Sequence, residues 1–155
     1  MTGGNIKDNI GRAAGVTLTG DCFLDMSGGS IGGNIGSYGF SGVIAMEGAG
    51  IAMSGTAVIE DDNKIILDNM SMQASVIIKA PITQKTPVAT IDIIQFDEVT
   101  EQIISVFPIG KQVLVSGDGY SFTKEDVSKF VLADPTYGIN QEGKIGERLL
   151  LPLLA

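Results

Sequence analysis

Two consecutive stretches of the chain carry the same pattern. Residues 15–41, GVTLTGDCFLDMSGGSIGGNIGSYGFS, align with residues 42–68, GVIAMEGAGIAMSGTAVIEDDNKIILD. At an offset of 27 residues, Gly-Val falls on Gly-Val and Met-Ser-Gly falls on Met-Ser-Gly, which makes five identities. The apolar pairs that fall in register are Leu24 with Ile51 and Ile31 with Val58. A repeat of this length is typical of solenoid proteins, in which each copy forms one coil.

Apolar residues alternate with polar or small residues inside each copy. Val16 and Leu18 in the first copy, and Ile51 and Met53 in the second, have the period of two that marks half-buried β-strands. Glycine separates these runs and amounts to 21 of 155 residues, about double its usual share of about 7%. Because one coil cannot bury its inward side chains alone, we expect stacked coils to share a ladder of apolar residues. The sequence therefore predicts an all-β fold, a short parallel β-helix with coils of about 27 residues.

We expect a single β-helix domain over residues 1–155. Residues 15–95 would form the repeat coils, and residues 96–155 the last strands and a C-terminal capping segment. Strands beyond the two clear copies are expected at Val76–Ile78, Val88–Ile94, Ile103–Phe107 and Gln112–Val115. The alternative is a β-sandwich of similar hairpins, which would favour Asn-Gly or Asp-Gly turns. Asp118-Gly119 is the single such dipeptide in the sequence, and this favours the solenoid.

The composition excludes several classes of function. Ten Lys and Arg residues stand against 18 Asp and Glu residues, so the net charge is −8 and the isoelectric point is near 4.3. Nucleic acid and anionic membranes require a basic face on their partner, and we therefore expect neither. The sequence has no apolar run of about 18 residues, so no membrane span is expected, and its first residues lack the pattern of a signal peptide.

The side chains needed for most catalytic chemistry are missing. The sequence has no His and one Cys, so Ser-His-Asp, Cys-His and zinc arrangements are not expected. Cys22 lies in an alternating apolar run and is interpreted as a small core residue. The acidic stretch Glu60-Asp61-Asp62 is interpreted as a solvated turn rather than a set of Ca²⁺ ligands. We therefore predict no catalytic, metal-binding or cofactor-binding residue, and no cofactor.

A resemblance to a known family is carried by Phe23–Asn34, FLDMSGGSIGGN. This stretch resembles the Gly-rich F-x-M-S-G-G-x-I-x-G-N repeat of secreted bacterial β-helix proteins, which are abundant in spirochaetes and gut anaerobes. Later stretches that are similar to the family, in the family's order, are Ile51–Ile59, Asn63–Leu67, Thr86–Ile91, Gly110–Leu114 and Gly138–Ile145.

The resemblance implies a right-handed β-helix on a secreted or cell-surface protein with an unassigned binding role. The family usually has many more coils, which is compatible with this chain being the end piece of a longer one. The resemblance also implies a strand at Phe130–Leu132. The residues themselves favour a short helix there, since Thr123 and Asp126 have the spacing of a capping box and Val127, Phe130 and Val131 follow at helical spacing.

The most hydrophobic stretch of the sequence is residues 149–154, LLLPLL. We expect it either to fold back over the last coil, where an open β-helix end exposes unpaired backbone, or to dock onto another subunit. It is too short to span a bilayer. The residues predicted as capping or assembly contacts are Leu149, Leu150, Leu151, Leu153 and Leu154.

From these features we predict a non-enzymatic, extracellular or cell-surface module that acts as a rigid stalk or an adhesin-like binding surface. The first alternative is a self-assembling subunit of a surface filament or lattice, whose partner is a further copy of the chain joined end to end or through the tail. The second is a degenerate polysaccharide-binding or polysaccharide-cleaving β-helix. A surface glycan or a protein would be the partner of a binding module.

Overall fold

Parallel strands stacked in successive coils form a β-solenoid, which confirms the predicted all-β, β-helical fold. The structure is a computed structural model and describes residues 1–69 and 74–148. The solenoid makes about three turns at a spacing of roughly 27 residues. The first coil begins at Asn5, ten residues before the repeat that the sequence displays.

In the described residues, the first three coils contain eleven strands. Coil one consists of β1 (Asn5–Lys7), β2 (Ile10–Gly11), β3 (Ala14–Leu18) and β4 (Phe23–Met26). Coil two consists of β5 (Ser30–Gly32), β6 (Ile35–Gly36), β7 (Ser41–Ala45) and β8 (Gly50–Gly55), with one 3-10 turn over Ser37–Gly39. Coil three consists of β9 (Val58–Ile59), β10 (Lys64–Asp68) and β11 (Ser75–Ile82).

The chain beyond coil three is less regular. It contains β12 (Ala89–Asp97), β13 (Gln102–Ser105), β14 (Leu114–Ser116), α1 (Lys124–Val127), β15 (Phe130–Leu132), β16 (Tyr137–Ile139) and β17 (Ile145–Glu147). A strand is present at each of the four positions predicted after the clear repeats. However, β13 pairs with β12 in the antiparallel sense, so these two strands form a hairpin and β13 does not continue a coil.

Three ladders of parallel strands form the sides of the solenoid. Side one stacks β1, β5 and β9; side two stacks β3, β7, β10 and β12; side three stacks β4, β8, β11 and β14. On side two, the strand β12 has two further partners. Its first half pairs with β15 in the parallel sense, which continues the ladder, and its second half pairs with β13. Two further short pairs are β2 with β6 and β16 with β17.

Between coils one and two, the strand register agrees with the sequence repeat on sides two and three. Val16 pairs with Val43, Leu24 with Ile51 and Met26 with Met53, as predicted. The predicted pairing of Ile31 with Val58 is wrong, since Ile31 pairs with Ile59. Four residues separate Met26 from Ile31, whereas five separate their partners Met53 and Ile59, and this one additional residue shifts the register by one.

The core is built from ladders of inward-facing side chains. One ladder on side two contains Val16, Val43, Ile65, Ile91 and Leu132. One ladder on side three contains Leu24, Ile51, Val76 and Leu114. The members in coil one, Val16 and Leu24, are half-buried, and all the others are buried. Cys22, expected in the core, lies half-buried beside this cluster, and its thiol donates to the Thr19 carbonyl at 3.0 Å.

Three asparagines are stacked at one corner of the solenoid. Asn9 Nδ2 donates to Asn34 Oδ1, and Asn34 Nδ2 donates to Asn63 Oδ1, each at 2.8 Å. Asn34 Nδ2 also donates to the Ile6 carbonyl at 3.0 Å, and Asn63 Nδ2 donates to the Asn34 carbonyl at 3.1 Å. Because Asn34 and Asn63 are buried, these amides pair backbone groups that a turning chain would otherwise leave unsatisfied.

The helix α1 and the strand β15 follow one another at the C-terminal end. Thr123 Oγ1 accepts from the Asp126 N–H at 3.2 Å, and the Asp126 carboxylate accepts from the Thr123 N–H at 2.9 Å, which is the predicted capping box. The helix ends at Val127 and Phe130–Leu132 pairs with β12 as a strand. The helix favoured by the residues and the strand implied by the resemblance are therefore both present, although the helix stops short of Val131.

Asp126 also joins this end to coil three. Its Oδ1 accepts from the Ile82 N–H at 3.0 Å, and its Oδ2 accepts from the Tyr120 hydroxyl at 2.6 Å. Burial by itself would raise the pKa of Asp126, but hydrogen bonds from Tyr120, Ile82 and Thr123 outweigh burial and lower the pKa below its usual value. The hydrogen bond to Asp126, together with burial, raises the pKa of Tyr120.

The leucines predicted as capping or assembly contacts, residues 149–151, 153 and 154, lie outside the described residues, so that role stays a prediction. Among the described residues of the C-terminal part, the inward side chains of Leu114, Leu132 and Ile145 are buried. Within residues 1–69 and 74–148, none of the helices has the length and apolar character needed to cross a membrane.

Candidate functional site

A cleft lies on the outside of the solenoid, where the β12–β13 hairpin leaves the coils. It has a volume of about 670 Å³. Residues from β10, β12 and β13 form one wall, and the segments around residues 106–108 and 133–137 form the other. The polar and aromatic side chains that line it include those of Lys64, Asp92, Gln95, Phe107, Asp134 and Tyr137.

Asp92 is the most unusual residue of the cleft. It alternates with the inward-facing Ile91 and Ile93, so its side chain projects from the outer face of β12. The residue is nevertheless only 9% exposed. Asp92 Oδ2 lies 4.0 Å from Lys64 Nζ, and Asp92 Oδ1 has no hydrogen-bond partner within the described part of the chain. A buried carboxylate with incomplete pairing lowers the stability of the fold, so it calls for a functional explanation.

An aromatic pair forms the apolar part of the cleft. The rings of Phe107 and Tyr137 are stacked, with centroids 5.4 Å apart and an interplanar angle of 18°. Tyr137 lies on β16, which is held by antiparallel pairing with β17. Phe107 and Tyr137 are half-buried and pack against the core, so the pair is a fixed surface for a ligand.

The remaining polar groups of the cleft are also oriented by the fold. Gln95 Oε1 accepts from Asn69 Nδ2 at 2.7 Å, which sets the direction of the Gln95 amide. Asp134 Oδ1 accepts from the Thr136 N–H at 2.9 Å and begins the turn that leads into β16. Lys64 supplies donors and the two aspartates supply acceptors, so the cleft offers both kinds of hydrogen bond to a ligand.

None of the cleft residues was identified from the sequence. Asp92 is the one charged residue of the predicted strand Val88–Ile94. That residue, isolated among apolar neighbours, is the signal that could have pointed to the site. The aromatic partners lie 15 and 45 residues further along the chain, and their approach depends on the hairpin and on β16.

One residue of the expected solvated turn at Glu60-Asp61-Asp62 also makes a structural contact. Asp62 Oδ2 accepts a hydrogen bond from the Gly33 N–H at 2.9 Å. No group of three or more His, Cys, Asp or Glu residues gathers as a metal-binding cluster in residues 1–69 and 74–148.

Comparison of the chain with protein-family models, with curated proteins and with solved structures gives no match. The similarity of Phe23–Asn34 to secreted bacterial β-helix proteins therefore rests on the motif itself.

Proposed function

We propose that this protein is a non-enzymatic, extracellular binding module in which a rigid β-solenoid presents the hairpin cleft to a saccharide. The observation that carries the proposal is the side chain of Asp92, which lines the cleft, is only 13% exposed and has one carboxylate oxygen without a partner among the described residues. A hydroxyl group of a ligand supplies the missing donor, and a charge-assisted hydrogen bond of this kind contributes about 1.5 to 3 kcal/mol.

The cleft has the mixture of groups that a sugar ring requires. The C–H face of a pyranose packs on an aromatic surface, which the stacked Phe107 and Tyr137 rings provide. Sugar hydroxyls both donate and accept, and they meet acceptors on Asp92 and Asp134 and donors on Lys64. One positive and two negative side chains leave a local charge of −1, which favours a neutral saccharide over a polyanion.

The solenoid supplies rigidity to this module. Continuous parallel ladders run through the coils on all three sides, so the cleft is attached to a stiff body. The location outside the cell is part of the proposal and follows from the resemblance of Phe23–Asn34 to secreted bacterial proteins. A stalk or adhesin on a cell surface would use both properties, a fixed shape and a saccharide site.

One observation favours a second candidate function, cleavage of a polysaccharide. Asp92 and Asp134 both line the cleft, and glycoside hydrolysis uses a pair of carboxyl groups, one as acid and the other as base or nucleophile. The two functions are distinguished by turnover. A binding module retains its saccharide unchanged, whereas an enzyme releases new reducing ends.

The proposal is tested with a glycan array, followed by calorimetric titration of the best saccharide. We expect Asp92→Asn and Tyr137→Ala to raise the Kd at least about tenfold, which corresponds to about 1.4 kcal/mol each. Asp118→Asn is the matched control, since it makes the same change of charge at an exposed loop residue with a positive φ that Asn also tolerates.

Each outcome has a defined meaning. A Kd that Asp92→Asn and Asp118→Asn change equally would place the saccharide elsewhere on the surface. An array on which no saccharide binds would overturn the saccharide proposal. Release of reducing ends by the wild type, lost in Asp92→Asn, would replace the binding module with the enzyme.

A further inference from the structure

A second, smaller cavity lies beside the hairpin cleft, on the outer face of side two. Its volume is about 190 Å³, and its lining comes from residues 38–40, from the outer face of β10 and β12, and from residues 103–105 of the hairpin. Ile66 is part of this lining. It alternates with the inward-facing Ile65 and Leu67 and therefore projects outward, yet it is only 1% exposed. The turn and the hairpin thus enclose a space outside the coils, which we call the coil-side cavity.

The coil-side cavity and the hairpin cleft meet at one polar group. Lys64, Asp92 and Ser105 line both of them. Ligand pockets usually have volumes of about 300 to 1,000 Å³. The cleft, at about 670 Å³, falls within that range, whereas the coil-side cavity is too small to hold a ligand of this kind by itself. It therefore has the size of an extension to the cleft, entered past Asp92.

Tyr38 gives the coil-side cavity an aromatic surface. The residue is 94% exposed, and its φ of 58° and ψ of 24° lie in the left-handed region. A bulky side chain is rare in that region, where Gly and Asn are favoured. A residue in such a conformation at an exposed turn does little for the fold, so its ring calls for a functional explanation.

The aromatic surfaces of the two cavities are too far apart for one sugar ring. Tyr38 precedes β7, and two ladder steps separate β7 from β12, which carries Asp92. Neighbouring strands are about 4.8 Å apart, so these steps cover about 10 Å along the solenoid. Phe107 and Tyr137 line the cleft on the other side of Asp92. A ring stacked on that pair therefore needs a second, linked ring to reach Tyr38.

We propose that the saccharide recognised by this protein is a neutral oligosaccharide of at least two residues, an inference that rests on the proposed function. One ring lies on Phe107 and Tyr137, and the next lies on Tyr38. The glycosidic oxygen between them accepts hydrogen bonds without donating any, and the Lys64 ammonium group at the junction supplies a donor. Asp92 accepts from a hydroxyl beside the linkage.

The charges around the coil-side cavity agree with a neutral second residue. Lys64 and Asp92 are the charged side chains of its described lining, and together they carry no net charge. A uronic acid or a sulfated sugar at this position would bring an unbalanced negative charge close to Asp92, which costs binding free energy.

Calorimetric titration of the full chain tests the proposal by comparing monosaccharides with their own oligomers. The probes are glucose, galactose, mannose and N-acetylglucosamine, with their linear di- and trisaccharides. For a sugar that binds, we expect the Kd of the disaccharide to be at least about tenfold lower than that of the monosaccharide. Tyr38→Asn removes the ring but tolerates the positive φ. It should abolish this preference and leave the Kd of the monosaccharide unchanged.

Three further variants separate the second ring from the first. Tyr38→Phe keeps the aromatic surface and should keep the preference for the disaccharide. Phe23→Ala is the matched control, since it removes an exposed aromatic ring on side three and should change neither Kd. Tyr137→Ala should weaken the binding of monosaccharide and disaccharide alike.

The outcomes distinguish this inference from the proposed function. Equal Kd values for monosaccharide and disaccharide in the wild type would overturn the inference and leave a saccharide site of one ring in the cleft. A preference for the disaccharide that persists in Tyr38→Asn would also overturn it, because the second ring would then lie elsewhere. Failure of every saccharide to bind, in solution and on the array, would overturn both proposals together.

Discussion

Coil one and the described C-terminal part of the solenoid differ in the burial of their inward side chains. Inward residues of coil one, such as Val16 and Leu24, are half-buried, and those near the other end, such as Leu114 and Leu132, are buried. The first coil is built from the repeat, and the C-terminal end is built from non-repeating elements. A repeat extends the ladders but always creates a new open end, so closing the core requires sequence that departs from the repeat.

The largest effect is expected from a matched pair of substitutions at one ladder position. Ile51→Ala removes a fully buried side chain between two coils and should lower the free energy of unfolding by about 3 to 4 kcal/mol. Leu24→Ala, at the paired position in coil one, should cost about 1 kcal/mol, because its side chain is already partly exposed and leaves no closed cavity. Urea denaturation of both variants measures the difference. Equal losses in the two variants would contradict the contrast between the coils.

The second-largest loss of stability is expected at Asp126, whose carboxylate joins the C-terminal part to coil three. Asp126→Ala leaves the Tyr120 hydroxyl and the Ile82 and Thr123 N–H groups without their acceptor, and it should lower the free energy of unfolding by about 3 kcal/mol. Asp126→Asn keeps one acceptor oxygen and should cost less. Thermal unfolding of both variants gives the comparison. A loss below about 0.5 kcal/mol for Asp126→Ala would mean that packing alone closes this end.

The pH dependence of the unfolding free energy tests whether the charge of the Asp126 carboxylate stabilises the fold. The pKa of Asp126 is lower in the folded chain than its usual value of 3.8, so its contribution is fully present above that value and is lost as the pH falls through the folded pKa. The difference in unfolding free energy between wild type and Asp126→Asn should therefore narrow below pH 3.8. Denaturation at a series of acidic pH values measures it, and a constant difference would assign the effect of Asp126→Asn to shape rather than charge.

The smallest effect is expected at the asparagine corner, which sharpens the contrast between coils one and two. Asn34→Ala removes a buried amide that bonds to Asn9, Asn63 and the Ile6 carbonyl, and should cost about 2 kcal/mol. Asn9→Ala, in the exposed coil, should cost less than about 1 kcal/mol. Urea denaturation resolves the two values. If Asn9→Ala costs as much as Asn34→Ala, then the corner is equally constrained in both coils.

Features set by short-range pattern were predictable from the sequence. The Gly15-Val16 and Gly42-Val43 pairs, together with the alternation around them, predicted the parallel pairing that the structure contains. Thr123 and Asp126 predicted the capping box for the same reason, since its partners are three residues apart. The register error at Ile31 arose at a corner, where one inserted residue leaves no trace in the apolar pattern.

The candidate site could not be predicted in this way. Asp92 pairs with Lys64 across neighbouring coils, and Tyr137 stacks on Phe107 from a hairpin 30 residues further along the chain. These distances in sequence are unrelated to the repeat, and each contact depends on where the hairpin β12–β13 leaves the coils. A periodic pattern contains no information about such a departure.

By itself, the sequence determined the solenoid, the spacing of its coils and the side chains that form its ladders. Strand alternation and a fixed repeat are local properties, and each stacked coil has the same ones. Only the tertiary structure decided that inward side chains are half-buried in coil one and buried in the described C-terminal part, and that a buried carboxylate and an aromatic pair share one cleft. Those features depend on which elements have neighbours, and neighbours are set by the path of the whole chain.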